Sequence, residues 1–439
     1  HLVPYLTNKL VDTPFFVDHP VWITDTNFNI DDHVEHLEVA APGGRAQWEA
    51  AIAELHEQPF DRSRPMWRIG VLSGLEGGRS AYYFAMHHAC IDGMSGQAAV
   101  ELLMDETPVP REVEPVPENF FTPRSYSAFD LMSAATDNFM KAQARQFASL
   151  LDAFDTGLRM QRRALEPSAG FGALAEQAPA TRFNKSISGR RTYATGEISL
   201  SSAKKIAKAT GCTLNDLFLA LCGGGVRRYL ARTGELPEQS LIAGCPVSLR
   251  RPGDTSMTNQ VTLMQVMLAT DQADPMRRLG AIAASAKTAK SVTADLAGVV
   301  DANPVGYGMP AAMQAMAAFG EATRAADSAP PPFNVLVSNV PGPRNTLYST
   351  GARMVTHYPV SIATHGIGVN ITLQSYDGVM FFAITGCAEA LPDSAVLRDD
   401  MLQEFAVFED TLWTPKAPAE KSQSTTPPKV VGTEPARAA

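Results

Sequence analysis

The sequence predicts an α/β protein made of two successive units, each of strands and helices. Three observations predict this. Short β-branched and aromatic runs alternate with segments of helical period along most of the chain. A polar, turn-rich stretch over residues 181–191 divides that pattern into two parts. The chain has 439 residues, more than a single hydrophobic core usually holds.

In the first part, residues 22–30 read as loop and short strand. Residues 45–58 have helical spacing, with Trp48, Ile52 and Leu55 on one face. Strands are predicted over residues 68–75 and 80–86, a polar turn over 87–95 and a helix over 97–104. Pro108, Pro110, Pro115, Pro117 and Pro123 then exclude regular helix and mark a surface connection. A long amphipathic helix follows, with Met132, Phe139, Phe147, Leu151, Phe154 and Leu158 near one face. That stripe fits core packing first and a lipid-facing surface second.

In the second part, strands are predicted over residues 192–198, 241–247, 260–269, 333–340, 368–374 and 379–386. Helices are predicted over 203–209, closed by Gly211, and over 214–230, 279–296 and 394–412. Residues 301–325 are rich in Met, Ala and Gly and carry no clear period. The predicted division is residues 1–180, residues 181–414 and a disordered tail over 415–439, where apolar periodicity ends.

Composition narrows the function. Net charge is −9, and the chain has no basic run, which argues against a nucleic-acid binder. Five cysteines, an odd number with no CxxC spacing, argue against a disulfide framework or a zinc site and suit a reducing cytosol. No run reaches the roughly 18 apolar residues of a membrane span. No secretory signal is recognisable. The expected location is therefore cytoplasmic, with any membrane association peripheral. A further N-terminal segment is expected ahead of His1.

The strongest chemical feature is His87-His88-Ala89-Cys90-Ile91-Asp92-Gly93, or HHxxxDG, directly after a predicted strand. Attack of an alcohol on a thioester needs a base, and imidazole suits that role near neutral pH. A strand end before a turn can project the ring into a cleft, and Gly93 lets the turn close. Ser95 lies in Gly-Met-Ser-Gly, which is not a nucleophile elbow. The His, Cys and acidic residues form no metal-ligand set.

HHxxxDG after a strand resembles the signature of the chloramphenicol acetyltransferase-like superfamily. Further blocks narrow the likeness to the bacterial wax ester synthase/diacylglycerol acyltransferase family. Arg64-Pro65-Met66-Trp67 resembles its PLW motif, with Met66 in place of Leu, and Asn215-Asp216 resembles its ND motif. Pro246-Val247-Ser248-Leu249-Arg250, Ser338-Asn339-Val340-Pro341-Gly342-Pro343 and Gly368-Val369-Asn370-Ile371-Thr372 resemble three more blocks, and Ser375-Tyr376-Asp377-Gly378 belongs with the last. The likeness runs from about residue 2 to residue 412.

The resemblance implies two chloramphenicol acetyltransferase-like subdomains with an active-site tunnel between them. It also implies an acyl-CoA-dependent O-acyltransferase making triacylglycerol or wax ester, with acyl-CoA as substrate and no cofactor, peripheral to the inner face of the plasma membrane or to a lipid-droplet surface. His88 would be the base, with His87, Asp92 and Gly93 completing the motif. Arg250 would pair with Asp92. Asn215, Asp216, Asn339 and Asn370 would bind substrate or support the site; helix capping is the simpler reading of Asn215 and Asp216. A condensation-type enzyme using carrier-bound acyl groups and an inactive lipid-binding protein remain as alternatives.

Overall fold

The computed structural model describes residues 3–90, 93–117, 126–141, 177–248, 261–296 and 309–413. The first part holds a small sheet and the second a large one. Strands β1 (Asn8–Val11) and β2 (Val21–Thr24) form an antiparallel pair. Strands β3 (Val34–Glu38), β4 (Trp67–Leu75) and β5 (Arg79–Met86) form a three-stranded sheet in that order, with β3 parallel to β4 and β5 antiparallel to it. Helix α1 (Arg45–Glu57) lies between β3 and β4 in sequence. Helix α2 (Gly93–Leu103) follows β5. It begins at Gly93, four residues before the sequence suggested, so the polar turn after β5 is shorter than its composition implies.

Residues 106–117 are exposed, irregular chain, as the proline cluster requires. Helix α3 covers residues 128–141. Ser127 and Asp130 open it reciprocally: Asp130 N donates to Ser127 Oγ, and Ser127 N to Asp130 Oδ2 at 2.8 Å. Leu131 and Ala135 are its buried residues, while Met132 and Phe139 are half-buried. The apolar stripe therefore faces inward about one position earlier than its largest side chains suggest. Phe147, Leu151, Phe154 and Leu158 lie outside the described residues, as do Ile91, Asp92, Leu249, Arg250 and the 415–439 tail.

The second part contains β6 (Arg191–Ser199), α4 (Leu200–Thr210), α5 (Leu214–Thr233), β7 (Ile242–Ser248), β8 (Val261–Met267) and α6 (Pro275–Leu296). It continues with α7 (Met309–Ala322), β9 (Val335–Val340), β10 (Tyr348–Ser349), β11 (Ala352–Arg353), β12 (Val369–Tyr376), β13 (Val379–Cys387) and α8 (Ser394–Trp413). The composition of residues 301–325 gave no clear period, yet 309–322 form α7; Ala and Met are strong helix formers regardless of amphipathicity. The large sheet runs β6-β13-β12-β9-β7-β8. β9 is parallel to both β12 and β7, and the other pairs are antiparallel.

The two faces of this sheet differ. Val369, Ile371 and Leu373 of β12 join Leu217 and Phe218 of α5, Ile282 of α6 and Met401 of α8 in the main core. Strand alternation sends Asn370, Thr372 and Gln374 to the opposite face, where all three are also buried. On that face the small-sheet part docks. Ile52 and Leu55 of α1 and Leu72 and Tyr83 of the small sheet share a core with Tyr193 of β6 and Ala383 of β13. Glu49 of α1 reinforces the seam, its Oε1 accepting from Thr195 N at 2.7 Å and Thr195 Oγ1 at 2.6 Å. Burial pushes the Glu49 carboxyl up, against the pull of the Thr195 hydrogen bonds and Arg398.

Helix α5 packs unusually close to its neighbours because Gly223-Gly224-Gly225 lie inside it. A Cβ on Gly224 would stand 2.3 Å from Glu404 Cδ, and one on Gly225 2.4 Å from Met401 Cγ. Glycine weakens a helix interior, but here it lets α5 and α8 approach to backbone distance.

Candidate active site

The HHxxxDG segment leaves the end of β5 and enters α2. Its turn is fixed by three hydrogen bonds centred on His87. His87 N donates to Met66 O at 2.9 Å, and Cys90 N donates to His87 O at 2.8 Å. Ala89 N donates to His87 Nδ1 at 3.1 Å. An imidazole nitrogen that accepts a backbone N–H carries no proton, so His87 is held neutral in this arrangement. Its surroundings favour the same form: partial burial, then the Arg62 charge and then His88 hold its pKa below the usual histidine range. The Phe60 ring meets it edge-on at 6.3 Å. His87 thus shapes the turn, and the exposed His88 follows directly in it. Cys90, in the variable slot, is a poor nucleophile, since burial pushes its thiol up to about 11. Met66 and Trp67 are buried beneath the turn, so this block is the structural floor of the motif.

Helix α2 and the residues just after it are tied to the second part at two levels. Gln374 Nε2 on β12 donates to Gln97 Oε1 on α2 at 2.7 Å, and both side chains are buried. Gln97 Nε2 in turn donates to Glu101 Oε1 at 3.0 Å. Beyond the helix, Asp105 and Tyr348 exchange backbone hydrogen bonds of 2.8 and 2.7 Å. The helix that starts at Gly93 is therefore registered against β12 by a buried amide pair.

Along the same face of β12, Asn370 and Thr372 anchor the chain that precedes the strand. Asn370 Nδ2 donates to Ile362 O at 3.1 Å, and Thr372 Oγ1 donates to Asn370 Oδ1 at 3.2 Å. Ser361 Oγ lies 2.6 Å from Thr372 Oγ1, and Ser361 N donates to Thr385 Oγ1 at 3.2 Å. Asn370 is thus placed as a support for the segment around Ile362.

The remaining candidates fall elsewhere. Asn339 is exposed near the end of β9, in register with Leu373, so it shares the helix-covered face of the sheet. Ser338 and Val340, in register with Thr372 and Gln374, are the strand residues of that block on the seam side. Asp216 closes a capping box: Thr213 N donates to Asp216 Oδ2 at 2.9 Å, and Asp216 N to Thr213 Oγ1 at 3.1 Å. The cap of α5 is Thr213, Asp216 serves it, and Asn215 is half-buried beside it in the helical layer. Gly342 has a plain steric role, since a Cβ there would lie 1.7 Å from Ser375 O.

Sequence reading missed Gln97, Gln374, Thr372, Ser361 and Ser338. A signal existed for some of them. In Val-Asn-Ile-Thr-Leu-Gln of β12, polar residues alternate with apolar ones in a strand covered on both sides, which marks a polar seam between layers. Replacing Gln97 or Gln374 alone by Leu strands one buried amide and should cost about 1–3 kcal/mol. The double replacement Q97L/Q374L should recover most of that stability. Acyl-transfer turnover should stay depressed in the double variant, because the register between α2 and β12 is no longer specified. Thermal melts beside steady-state kinetics read the two effects separately.

The motif turn sits at the end of β5, and the helix that follows it is bonded to β12 through Gln97 and Gln374. Solved structures agree on the fold. A wax ester synthase/diacylglycerol acyltransferase from Marinobacter aquaeolei matches with a TM-score of 0.64 at 24% identity, over 92% of this chain and 85% of that one. The first condensation domain of the calcium-dependent antibiotic synthetase matches with a TM-score of 0.51 at 16% identity, over 93% and 85%. Sequence comparison is more specific. Residues 1–218 match the wax ester synthase/diacylglycerol acyltransferase catalytic domain and residues 257–409 its C-terminal domain. O-acyltransferase WSD of Acinetobacter baylyi is 30% identical over 93% of this chain and 86% of its own length. A Mycobacterium tuberculosis protein named as a diacylglycerol O-acyltransferase is 33% identical over 90% and 83%. The chain belongs to the wax ester synthase/diacylglycerol acyltransferase family, and with it to the O-acyltransferases.

Proposed function

We propose that this enzyme transfers an acyl group from acyl-CoA to the hydroxyl of diacylglycerol or a long-chain alcohol, with His88 as general base. The observation that carries the reading is the division of labour in the motif turn. His87 Nδ1 accepts from Ala89 N, which gives His87 a part in shaping the turn, and the exposed His88 directly after it takes the role of base. In this mechanism His88 removes the hydroxyl proton as the oxygen attacks the thioester carbonyl. The tetrahedral oxyanion collapses, the C–S bond breaks, and the thiolate leaves with the proton returned from His88. The products are an ester and free CoA thiol.

A thioester is already activated, so the reaction as written uses no metal or cofactor. Among the described residues there is no cluster of three or more His, Cys, Asp and Glu side chains placed to hold a metal. The proposed acceptors reside in lipid, so the proposed working place is a lipid surface reached from the cytoplasm. No helix among the described residues is long and apolar enough to cross a membrane. The test is thiol release from palmitoyl-CoA with diacylglycerol, with hexadecanol or with neither. Release that requires an acceptor supports the reading, and the faster acceptor identifies the physiological ester. Release of equal rate without acceptor sinks it.

A further inference from the structure

Two segments far apart in sequence build an exposed, uncharged apolar surface. The first is the turn between β1 and β2, where Phe15 is 86% exposed and Phe16 is exposed beside it. Both have positive φ, 55° and 53°, a backbone region that bulky residues rarely enter. Strained backbone that turns two phenyl rings outward has no rationale in water. The second segment is α7, which packs against that turn. Its Met316 and Phe319 are 72% and 69% exposed, and Met313 is exposed with them. Contiguous apolar surface contributed by separate segments marks an interaction site.

Charge selects the occupant. Residues 309–320 contain no charged side chain, and neither do residues 14–17. Among the described residues, Arg324 Nε lies 2.8 Å from Asp327 Oδ2, Arg62 Nη2 lies 3.2 Å from Asp12 Oδ1, and Lys185 Nζ donates to Asp327 O at 3.1 Å. The whole chain carries −9. An anionic bilayer would need an unpaired basic rim, and the described residues around this surface do not form one. We infer that the Phe15–Phe16 turn and the exposed face of α7 dock the enzyme onto the uncharged surface of a neutral-lipid droplet. The inference deepens the lipid-acceptor reading and rests on it for the identity of the lipid phase.

The test is flotation with triolein droplets coated with phosphatidylcholine, at low and high salt, for the wild type and for a variant carrying Phe15→Ser, Met316→Ser and Phe319→Ser. The wild type should float equally at both salts. The variant should lose at least about tenfold in droplet binding while keeping its melting temperature and its turnover of octanoyl-CoA with a short-chain alcohol. Equal flotation of variant and wild type overturns the inference. Binding only to phosphatidylglycerol vesicles and only at low salt also overturns it, as does a dimer-to-monomer shift in light scattering that accompanies the variant, which would assign the surface to a second copy. Flotation is read without turnover. A wild type that floats but releases no thiol sinks the catalytic reading alone, and an active wild type that does not float sinks this one alone.

Discussion

His88→Ala should lower acceptor-dependent thiol release by about 10²–10⁴-fold, the usual contribution of a positioned general base. Its melting temperature should stay close to that of the wild type, because the ring is exposed at the motif turn. His87→Ala should behave differently. It removes the acceptor of Ala89 N and the edge-on contact with Phe60, so the turn loosens and turnover falls through misplacement of its neighbour. His87→Asn offers an amide oxygen near the position of Nδ1 and should restore most of that loss, whereas His88→Asn should restore nothing. The readout is kcat for thiol release with saturating acceptor, measured on variants of matched secondary structure by circular dichroism. Equal rescue by asparagine at both positions would remove the assignment of His88 as base.

The parts of this site that were legible in the sequence are those with a local cause. The HHxxxDG turn announces itself because two adjacent histidines and a glycine at a strand end have few structural uses. Gly211 as a helix stop was readable because the helix ends there in the left-handed conformation, with φ at 71°. The parts that were not legible depend on partners far away in the chain. Gln97 and Gln374 are 277 residues apart, and neither residue type signals burial alone. Asn339 drew attention as the amide of its block, yet the register of β9 on β12 turns Ser338 toward the seam instead. The start of α2 was placed late because Gly and Ser in its first turn have low helix propensity, which tertiary packing overrode. Strand β3 was missed because Val-Glu-His-Leu-Glu is half polar and gains its apolar contacts only beside β4.

The largest stability effect should come from the helical layer, far from the polar seam. Glu404 of α8 is fully buried and bridges two arginines from different helices. Its Oε1 pairs with Arg278 of α6, itself 2% exposed, and its Oε2 lies 2.9 Å from Arg228 Nη2 of α5. Arg278 Nη1 also donates to Gln272 O at 2.6 Å. Glu404→Ala leaves the Arg278 guanidinium buried without a counter-charge, which should cost about 3–5 kcal/mol. Arg228 is one-third exposed and can turn to solvent, so it adds little. In a chain of this size the loss should lower the melting temperature by roughly 5–15 °C. The isolated Glu404→Gln change keeps an acceptor but removes the charge and should fall between the two. Replacing both buried partners, with Glu404→Leu and Arg278→Met, removes the desolvation cost along with the attraction. Such swaps are often neutral or stabilising, so the double variant should melt well above Glu404→Ala. Gly224→Ala gives an independent check, because its new Cβ would fall 2.3 Å from Glu404 Cδ and push the carboxylate out of place while leaving both charges in the chain. It should destabilise wild type more than the Glu404→Ala background, where the space is vacant. Thermal melts of the four proteins decide the matter: if Gly224→Ala costs the same in both backgrounds, the close approach of α5 to α8 is not built around this carboxylate.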